Sequence, residues 1–297
     1  MGKSSSPPTG ILLGAVLLLW ATLLPAQSAS PAAGDQPFFF VVGSDPQFGW
    51  CESSQNLGHG FVQDTATFEF VIATVNRLRP AFLIIDGDLV DDAGDPAQAA
   101  EYFRVTSKLD PSIHLYNVPG NHDVDNAPTP ATLAAYRKKF GPDYYTFRVG
   151  NLAAFVLDSS IIMDPKNVPD EYARQEAWLR EELAKAKRDG MRHLVVFQHH
   201  LLFINSPDEK DSYYTFPLER RRKYLDLLRD AGVSYVFSGH YHRNAVAAYG
   251  PMKLVTTSAI SCADTQSSIR IVTVKDSGIE ARAYDFGILP NRVDLSK

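Results

Sequence analysis

Short runs of apolar residues recur along the first two-thirds of the chain and indicate buried β-strands. The runs are rich in Val, Ile and Phe, and polar or turn-forming residues bound each of them. Six strands are predicted from these runs: Phe38–Val42, Phe82–Ile85, Ile113–Val118, Leu152–Leu157, Leu194–Phe197 and Val233–Phe237. Near the C-terminus a meander of three further strands is predicted over Met252–Ser258, Ile269–Val274 and Ile279–Tyr284.

Helical periodicity fills several of the gaps between these strands. Apolar residues recur at helical spacing over Phe68–Leu78, and again over Leu179–Ala186 after the helix-start signal Pro169-Asp170. A third helix is predicted over Leu218–Ala231. Strands that alternate with helices, followed by a region that is mostly strand, predict an α/β layered domain with one mixed sheet or two packed sheets.

The N-terminal segment has the pattern of a secretory signal. Lys3 supplies positive charge, Ile11–Leu24 is almost wholly apolar, and Ala26-Gln27-Ser28 offers small residues for cleavage. The apolar stretch of 14 residues is short beside the roughly 20 that a membrane span needs. We predict a signal peptide over 1–28, a linker over 29–36 and one domain over 37–297. The protein is then periplasmic or secreted; tethering by an uncleaved signal anchor is the alternative.

Composition limits the partners more than the fold. The 297-residue chain has a net charge of −5 and a pI near 5.9, which does not favour binding to nucleic acid. An anionic substrate is still compatible, because bound metal ions supply local positive charge. No stretch after the signal is apolar and long enough to span a bilayer. Export would permit a disulfide between Cys51 and Cys262, but the sequence leaves this pairing and the oligomeric state open.

Five of the predicted strands are followed by residue types that bind metal ions. The segments at their carboxyl ends are Asp45-Pro46-Gln47, Asp86-Gly87-Asp88, Gly120-Asn121-His122-Asp123, Gln198-His199-His200 and Gly239-His240-Tyr241-His242. In open α/β sheets this edge is where ligands bind. One Asp after a strand means little, whereas five such strand ends predict a metal site.

The candidate ligands predict two ions rather than one. A set of Asp, Asn and His without Cys suits zinc, iron or manganese better than calcium, and six or more ligands exceed the needs of one tetrahedral ion. Asp88 lies centrally in the motif order and is the predicted bridge. Two ions about 3.5–4 Å apart can clamp the attacking and leaving oxygens of a phosphoryl displacement, with a bridging hydroxide as nucleophile. The glycines at 87, 120 and 239 permit the tight turns required.

The order of these motifs resembles the calcineurin-like metallophosphoesterase superfamily. The Gly-Asn-His-Asp and Gly-His-x-His elements are specific together, and the resemblance spans about Phe38–His242. The longer runs Asp45–Gly49, Phe197–His199 and Phe237–Ala245 are similar to the subfamily of calcineurin-like phosphoesterase domain-containing proteins, whose vertebrate member is described as a serine/threonine phosphatase. The resemblance implies a four-layer αββα sandwich of two mixed β-sheets flanked by helices.

The resemblance also implies which residues hold the two ions. The first ion would be held by Asp45, Asp88 and His242. The second ion would be held by Asp88, Asn121, His199 and His240. One position departs from the superfamily pattern: Gln47 stands where His is usual, so it is either a weaker, harder ligand or a hydrogen-bonding neighbour of the site. Manganese, iron, zinc and magnesium are all compatible with this set.

The remaining site residues concern catalysis and substrate. The resemblance implies that His122 protonates the leaving oxygen or stabilises the phosphoryl charge, and that Asp123 orients His122. Candidate substrate contacts are His200, Arg243 and Asn244, with surface ion pairs or capping as the alternative for the last two. Three acidic residues are excluded from the ligands: Asp86 is predicted as a turn residue, and Asp91 and Asp92 as solvated loop charges.

The predicted activity is hydrolysis of phosphate monoesters outside the cytoplasm, with phosphoproteins or small phosphate esters as substrates. A phosphodiesterase acting on nucleotides or lipid head groups could use the same site, since the metal pair does not determine the leaving group. A metal- and phosphate-binding protein without turnover is a third hypothesis. Gln47 favours this third hypothesis, and the His122-Asp123 pair opposes it because a binding protein needs no proton donor.

Overall fold

The computed structural model describes residues 1–2, 36–55, 60–262 and 266–296. Within these ranges the chain forms two β-sheets, eight α-helices and one short 3-10 helix at Phe286–Ile288. The strands are β1 Phe38–Gly43, β2 Phe82–Ile85, β3 His114–Asn117, β4 Tyr145–Val149, β5 Leu152–Val156, β6 His193–Phe197, β7 Val233–Ser238, β8 Ala245–Tyr249, β9 Met252–Thr256, β10 Ser268–Lys275 and β11 Gly278–Asp285. The helices are α1 Trp50–Ser54, α2 Val62–Leu78, α3 Pro96–Thr106, α4 Asn121–Val124, α5 Pro130–Phe140, α6 Ser159–Met163, α7 Pro169–Arg188 and α8 Leu218–Ala231.

Both sheets are mixed, and each contains a group of neighbouring parallel strands. The first sheet has the order β11-β10-β1-β2-β3, in which β1, β2 and β3 are parallel and β10 is antiparallel to its neighbours. The second sheet has the order β4-β5-β6-β7-β9-β8, in which β5, β6, β7 and β9 are parallel. The antiparallel strands β4 and β8 form its two edges.

Alternation along each central strand divides the apolar residues between two cores. In β1, Phe40 and Val42 enter the core between the sheets, whereas Phe39 and Val41 face the helices. Period-two alternation sends successive side chains to opposite faces, so a strand covered on both faces reads as a continuous apolar run. This packing explains why the central strands could be recognised from sequence.

Three apolar cores separate four layers. The core between the two sheets contains stacked and edge-to-face aromatic rings, among them Phe40, Phe82, Phe197 and Phe237. A second core lies between the first sheet and helices α2 and α3, and a third between the second sheet and helices α7 and α8. The predicted sandwich of helices, two mixed sheets and helices is confirmed.

Several sequence predictions need adjustment. The predicted C-terminal meander is wrong: β9 pairs in parallel with β7 in the second sheet, and of the three predicted strands only β10 and β11 pair with each other, in the first sheet. The edge strands β4 and β8 and the helices α3 and α5 were not predicted. The predicted signal peptide and linker lie outside the described residues except at residues 1–2 and 36. No described helix has the length and apolar character needed to cross a membrane.

Candidate active site

The carboxyl ends of strands from both sheets meet at one place. In the first sheet, the segment after β1 bonds to the segment after β2, with Asp45 N donating to Gly87 O at 3.1 Å. The two sheets are tied together here, because the backbone N–H of His240, after β7, donates to Asp45 Oδ2 at 3.1 Å. The parallel arrangement therefore brings all five predicted ligand segments to one edge.

Four of the predicted ligands form a compact buried cluster. Donor atoms of Asp88, His199 and His240 lie within 4.8 Å of one another. The Nε2 atom of His199 is 3.1 Å from Asp88 Oδ2 and 3.1 Å from Asn121 Oδ1. These are the four residues predicted for the second ion, and their separation suits a metal ion placed among them.

The other two predicted ligands, Asp45 and His242, form a pair beside this cluster. His242 Nε2 is 3.2 Å from Asp45 Oδ1. The same Asp45 oxygen is 4.0 Å from His199 Nε2, so the two groups of ligands are continuous. The structure thus brings together all six side chains predicted to bind metal.

Hydrogen bonds to the outer nitrogens set the tautomers of two histidines. His199 Nδ1 lies 2.7 Å from the carbonyl oxygen of Asp86 and carries a hydrogen, so Nε2 is the nitrogen that faces the other ligands. His240 Nε2 lies 3.1 Å from the carbonyl oxygen of Tyr213, which leaves the lone pair on Nδ1. A ligand histidine commonly donates its other N–H to a carbonyl in this way.

Gln47 offers an oxygen to the same site. Its side-chain nitrogen donates to Asp91 Oδ1 at 3.2 Å. Its Oε1 atom is buried and has no hydrogen-bond partner among the described residues. An unsatisfied buried oxygen is costly, and a hard divalent cation would satisfy it. This observation, with the Asp, Asn and His donors around it, fits a metal centre.

The electrostatics of the cluster favour bound cations. Burial alone would raise the pKa of Asp88, but the adjacent His199 ring holds it well below its ordinary value. Burial alone would lower the pKa of His199, and Asp88 raises it to about 9. Burial, followed by the charge of His199, lowers the pKa of His240 to about 4, so this ring is neutral and able to bind metal.

The backbone at the ligands is unusual. Five site residues have positive φ angles: Asp45 at 50°, Gln47 at 36°, Asp88 at 50°, His240 at 65° and His242 at 51°. This left-handed region is uncommon for residues other than Gly, although Asn, Asp and His enter it more readily than most. It turns consecutive side chains at each strand end toward a common point.

Two of the glycines singled out in the sequence permit close backbone approach. A Cβ atom at Gly120 would overlap the backbone nitrogen and Oδ1 of Asp88. A Cβ atom at Gly239 would overlap Ser44 Oγ and lie 2.6 Å from Asp45 Oδ2. Any side chain at either position would therefore displace a ligand carboxylate.

His122 is oriented by a residue that the sequence prediction set aside. Its Nδ1 atom lies 2.8 Å from the carbonyl oxygen of Asp91 and 3.2 Å from Asp91 Oδ1. Burial alone would lower the pKa of His122, but Asp91 and Asp88 raise it to about 10. A cation bound at Asp88 would act in the opposite direction. Asp91 is a partner of the proposed acid rather than a solvated loop charge.

The orienting role predicted for Asp123 is corrected by the structure. The carboxylate of Asp123 accepts backbone N–H groups from Leu89 at 3.0 Å, Val90 at 3.3 Å and Gly120 at 2.8 Å. It therefore braces the loop that carries Asp88 against the start of α4. Nothing in the described contacts joins it to the ring of its sequence neighbour His122.

An aromatic wall encloses the cavity above the ligands. The cavity has a volume of about 140 Å³, and its lining includes Trp50, His122, Tyr213, Tyr214 and Tyr241. Trp50 lies edge-on to His122 and His242, with ring centroids 6.2 and 5.8 Å away. His122 also lines a larger hollow of about 500 Å³ beside α5. His122 therefore borders both the ligand cavity and this larger hollow.

The three candidate substrate contacts lie in different settings. His200 is only 2% exposed; its Nδ1 is 2.8 Å from Ser159 Oγ, and its ring lies behind that of His240 with centroids 4.4 Å apart. Asn244 is bonded to Ser268 and Arg270 of β10. Arg243 is exposed and lies over the ring of Tyr241, which lines the cavity, 5.7 Å from the ring centroid. Arg243 is therefore the best placed of the three to reach a substrate.

A disulfide connects two segments that border the site. Cys51 follows Trp50 in α1 and is bonded to Cys262, with Cα atoms 5.3 Å apart. The segment before Cys262 is anchored to the ligand loop, because Ser261 N donates to Asp45 O at 3.2 Å. The disulfide, which the sequence left open, therefore connects the helix that carries Trp50 to the segment that is hydrogen-bonded to Asp45.

A mixed-sheet sandwich with an Asp, Asn and His cluster at its strand ends, and an oriented histidine beside it, defines a metallophosphoesterase. A family model described as "Calcineurin-like phosphoesterase" matches residues 40–244. The chain belongs to the calcineurin-like phosphoesterase family and is a hydrolase of phosphoric esters. This family is metal-dependent, which agrees with the cluster of Asp and His donors.

Relatives in sequence are similar over nearly the whole chain. The serine/threonine-protein phosphatase CPPED1 of Bos taurus is 37% identical over 281 residues, covering 88% of this chain and 90% of the relative. CPPED1 of Homo sapiens is 36% identical over 294 residues, covering 92% and 93%. The resemblance to this subfamily noted in the sequence is confirmed.

Solved structures support the fold. Purple acid phosphatase PPD1 from yellow lupin superposes with a TM-score of 0.64 at 12% identity, covering 88% of this chain and 53% of that one. A dimetal phosphatase from Danio rerio superposes with a TM-score of 0.58 at 15% identity, covering 84% of this chain and 99% of that one. At such low identity these likenesses concern architecture alone.

Proposed function

We propose that the protein is an exported phosphomonoesterase that works with two divalent metal ions. The observation that carries this proposal is the cluster of six carboxylate, amide and imidazole side chains, three of which line one small cavity with His122 on its wall. Asp45 with His242 would serve one ion and Asn121, His199 and His240 the other, with Asp88 shared. Gln47 Oε1 would add an oxygen to the first ion.

The chemistry divides between the ions and the protein. When bound, divalent ions of this kind supply positive charge toward a phosphoryl group and acidify water. His122 has Nδ1 committed to Asp91, so Nε2 is the nitrogen left to give a proton to the leaving oxygen. The rings of Trp50 and Tyr213 line the cavity in which this step would take place. A proton donor so placed contributes roughly 10²–10⁴ in rate.

A phosphoprotein substrate is favoured by the relatives. Proteins described as serine/threonine-protein phosphatases align with more than four-fifths of this chain at 34–37% identity. The open hollow beside His122 could accommodate the peptide that carries the phosphorylated side chain. We therefore propose phosphoserine and phosphothreonine side chains as the substrate class.

The test is turnover by metal-stripped protein resupplied with manganese, iron, zinc or magnesium. p-Nitrophenyl phosphate, its bis ester and a phosphoserine peptide would be assayed side by side, with His122→Ala as the catalytic variant. His114→Ala is a matched control, because His114 is an exposed histidine at the opposite end of the strand that leads to His122.

Four outcomes decide between the hypotheses. Metal-restored hydrolysis of the monoester and the peptide, lost in His122→Ala and kept in His114→Ala, supports the phosphomonoesterase. Preference for the bis ester would instead indicate a phosphodiesterase. Folded protein that binds metal without turnover of any ester would indicate a binding protein. Turnover that needs no added metal after thorough chelation would contradict the metal-dependent mechanism.

Export is supported by the signal-like N-terminus and by the disulfide between Cys51 and Cys262, since disulfides persist mainly in oxidising compartments. Expression of the full chain with a C-terminal tag, followed by fractionation and N-terminal mass determination, tests it. A soluble extracytoplasmic chain that begins near Ala29 is the expected result. An intact chain in the cytosol would contradict the proposed export, and an intact chain in the membrane fraction would indicate a retained anchor.

A further inference from the structure

Tyr213 contacts two predicted ligands of the same ion. Its hydroxyl oxygen accepts a hydrogen bond from Asn121 Nδ2 at 3.0 Å. Its backbone carbonyl oxygen accepts a hydrogen bond from His240 Nε2 at 3.1 Å. Asn121 follows β3 of the first sheet and His240 follows β7 of the second, so a single loop residue links ligands that the two sheets supply.

The bond to Asn121 restrains a side-chain amide that could otherwise rotate. With Nδ2 directed at Tyr213, the Oδ1 atom of Asn121 faces His199 Nε2 at 3.1 Å, where the ligand cluster lies. The reversed amide would place an NH₂ group, which has no lone pair to offer a cation, toward that cluster. The hydroxyl of Tyr213 could bond either end of the amide, so a cation among the ligands would select the Oδ1 end, and the bond from Nδ2 to Tyr213 would hold the amide in that orientation.

The bond to His240 fixes a tautomer. The carbonyl oxygen of Tyr213 can only accept, so His240 Nε2 must donate and Nδ1 must carry the lone pair. This contact comes from the backbone and survives any side-chain change at position 213. The two contacts of Tyr213 can therefore be separated by substitution.

Side-chain hydrogen bonds hold the loop that carries Tyr213. The fully buried guanidinium of Arg221, in α8, donates to the carbonyl oxygens of Phe216 at 3.0 Å and Glu209 at 2.6 Å, and to Thr215 Oγ1 at 3.1 Å. The carboxylate of Glu209 in turn accepts the N–H of Ile204 at 2.8 Å. Because Arg221 donates to carbonyl oxygens on both sides of Tyr213 in the chain, we infer that it holds the backbone of Tyr213 in place.

We propose that Tyr213 is a positioning residue for the second metal ion, acting through the side-chain amide of Asn121. The inference rests on the proposed two-ion site and goes beyond it by assigning the affinity of one ion to a residue that is not itself a ligand. Groups that orient ligands typically contribute about 10- to 100-fold in metal affinity.

Tyr213→Phe tests the proposal because it removes the hydroxyl and keeps the ring and the carbonyl. Tyr214→Phe is the matched control, since its ring lies beside His240 with centroids 5.6 Å apart in the same loop. Metal dissociation constants would be measured by calorimetry and by chelator competition on stripped protein, independently of turnover. We expect the dissociation constant of one of the two ions to rise about 10- to 100-fold in Tyr213→Phe only, with that of the other ion unchanged, and saturating metal to restore most of kcat.

The outcomes separate this inference from the function on which it rests. Wild-type protein that binds fewer than two ions would overturn both. Wild-type protein that binds two ions, with unchanged constants in Tyr213→Phe, would overturn the role of Tyr213 alone. Unchanged constants with a large loss of kcat would also overturn it, because the phenol would then act on the substrate rather than on Asn121.

Discussion

His122 takes its orientation from Asp91, 31 residues earlier in the chain, with Nδ1 lying 3.2 Å from the carboxylate and 2.8 Å from the carbonyl oxygen. Asp91→Asn removes the negative charge, and the pKa of His122 should fall. The ring must be protonated to act as an acid, so activity is lost above its pKa. We expect the alkaline limb of kcat to move to lower pH, with kcat on alkyl phosphates reduced about tenfold or more, within the range for acid catalysis.

A comparison of leaving groups sharpens this test. p-Nitrophenolate leaves without much help from an acid, so Asp91→Asn should affect p-nitrophenyl phosphate less than an alkyl phosphate. Asp92→Asn is the control, because the exposed Asp92 carboxylate accepts only the N–H of Gly94 at 2.7 Å among the described bonds. Equal loss on both esters, with no shift of the pH profile, would remove Asp91 from the proton-transfer step.

Asp123 is expected to matter for stability, because its carboxylate accepts three backbone N–H groups. In Asp123→Asn the side chain has one acceptor oxygen instead of two, and its NH₂ group would face backbone N–H donors with which it cannot form a hydrogen bond. Losing such buried bonds costs about 1–3 kcal/mol, measurable by urea denaturation of metal-free protein. The experiment belongs at pH 8, because burial, followed by the charge of Asp88, raises the pKa of Asp123 to about 7. The free energy of unfolding should fall much less in Asp91→Asn, measured alongside. An equal fall in the two variants would contradict the bracing role of Asp123.

Asp64 should make folding stability depend on pH. Burial raises its pKa to about 7, despite a bond from Gly49 N at 2.8 Å that favours the carboxylate. The folded state therefore holds a proton that the unfolded chain releases near pH 4. This contribution to stability is full below about pH 4 and is lost as pH rises through about 7, at roughly 1.4 kcal/mol per pKa unit.

The variant Asp64→Asn isolates this contribution, because the amide cannot ionise. Its free energy of unfolding, relative to that of wild-type protein, should rise between pH 4 and pH 8. Urea denaturation of both metal-free proteins at several pH values measures the difference. A difference that is constant across this range would show that Asp64 titrates normally in the folded state.

The disulfide should stabilise the fold strongly. It joins residues 211 apart in the chain, and closing so long a loop in the unfolded state is worth up to about 5 kcal/mol in the chain-entropy model. Reduction with dithiothreitol should lower the free energy of unfolding of wild-type protein and leave Cys262→Ser unchanged. If wild-type protein were insensitive to the reductant, the cross-link would contribute nothing in solution.

The sequence predicted the fold best where strands are buried on both faces. β2, at Phe82–Ile85, was predicted to the residue because all four of its side chains are buried. β8, at Ala245–Tyr249, lies at a sheet edge with half-exposed and exposed residues in alternation. Three of its five residues are Ala, a residue that is depleted in strands, so its sequence did not indicate a strand. Helix α5 did carry a detectable signal: Thr129 caps it and Pro130 opens it.

The site shows a similar division. Asp45, Asp88 and His199 could be predicted because they follow strands whose ends must meet. The partners of these residues could not, because ring orientation depends on contacts between distant segments. Tyr213 is 92 residues from Asn121 in the chain, and no local pattern joins them. Long-range hydrogen bonds of this kind are visible only once the sheets have packed.

The left-handed backbone at the ligand positions has a consequence for redesign. Asp45, Asp88, His240 and His242 share a conformation that Asp and His tolerate better than most residues. An engineer who exchanges one of them for Glu or Cys to change metal preference alters the cost of the turn as well as the donor atom. Metal selectivity in this scaffold is therefore coupled to local foldability, and a library that varies ligands should be sorted for folding before it is sorted for activity.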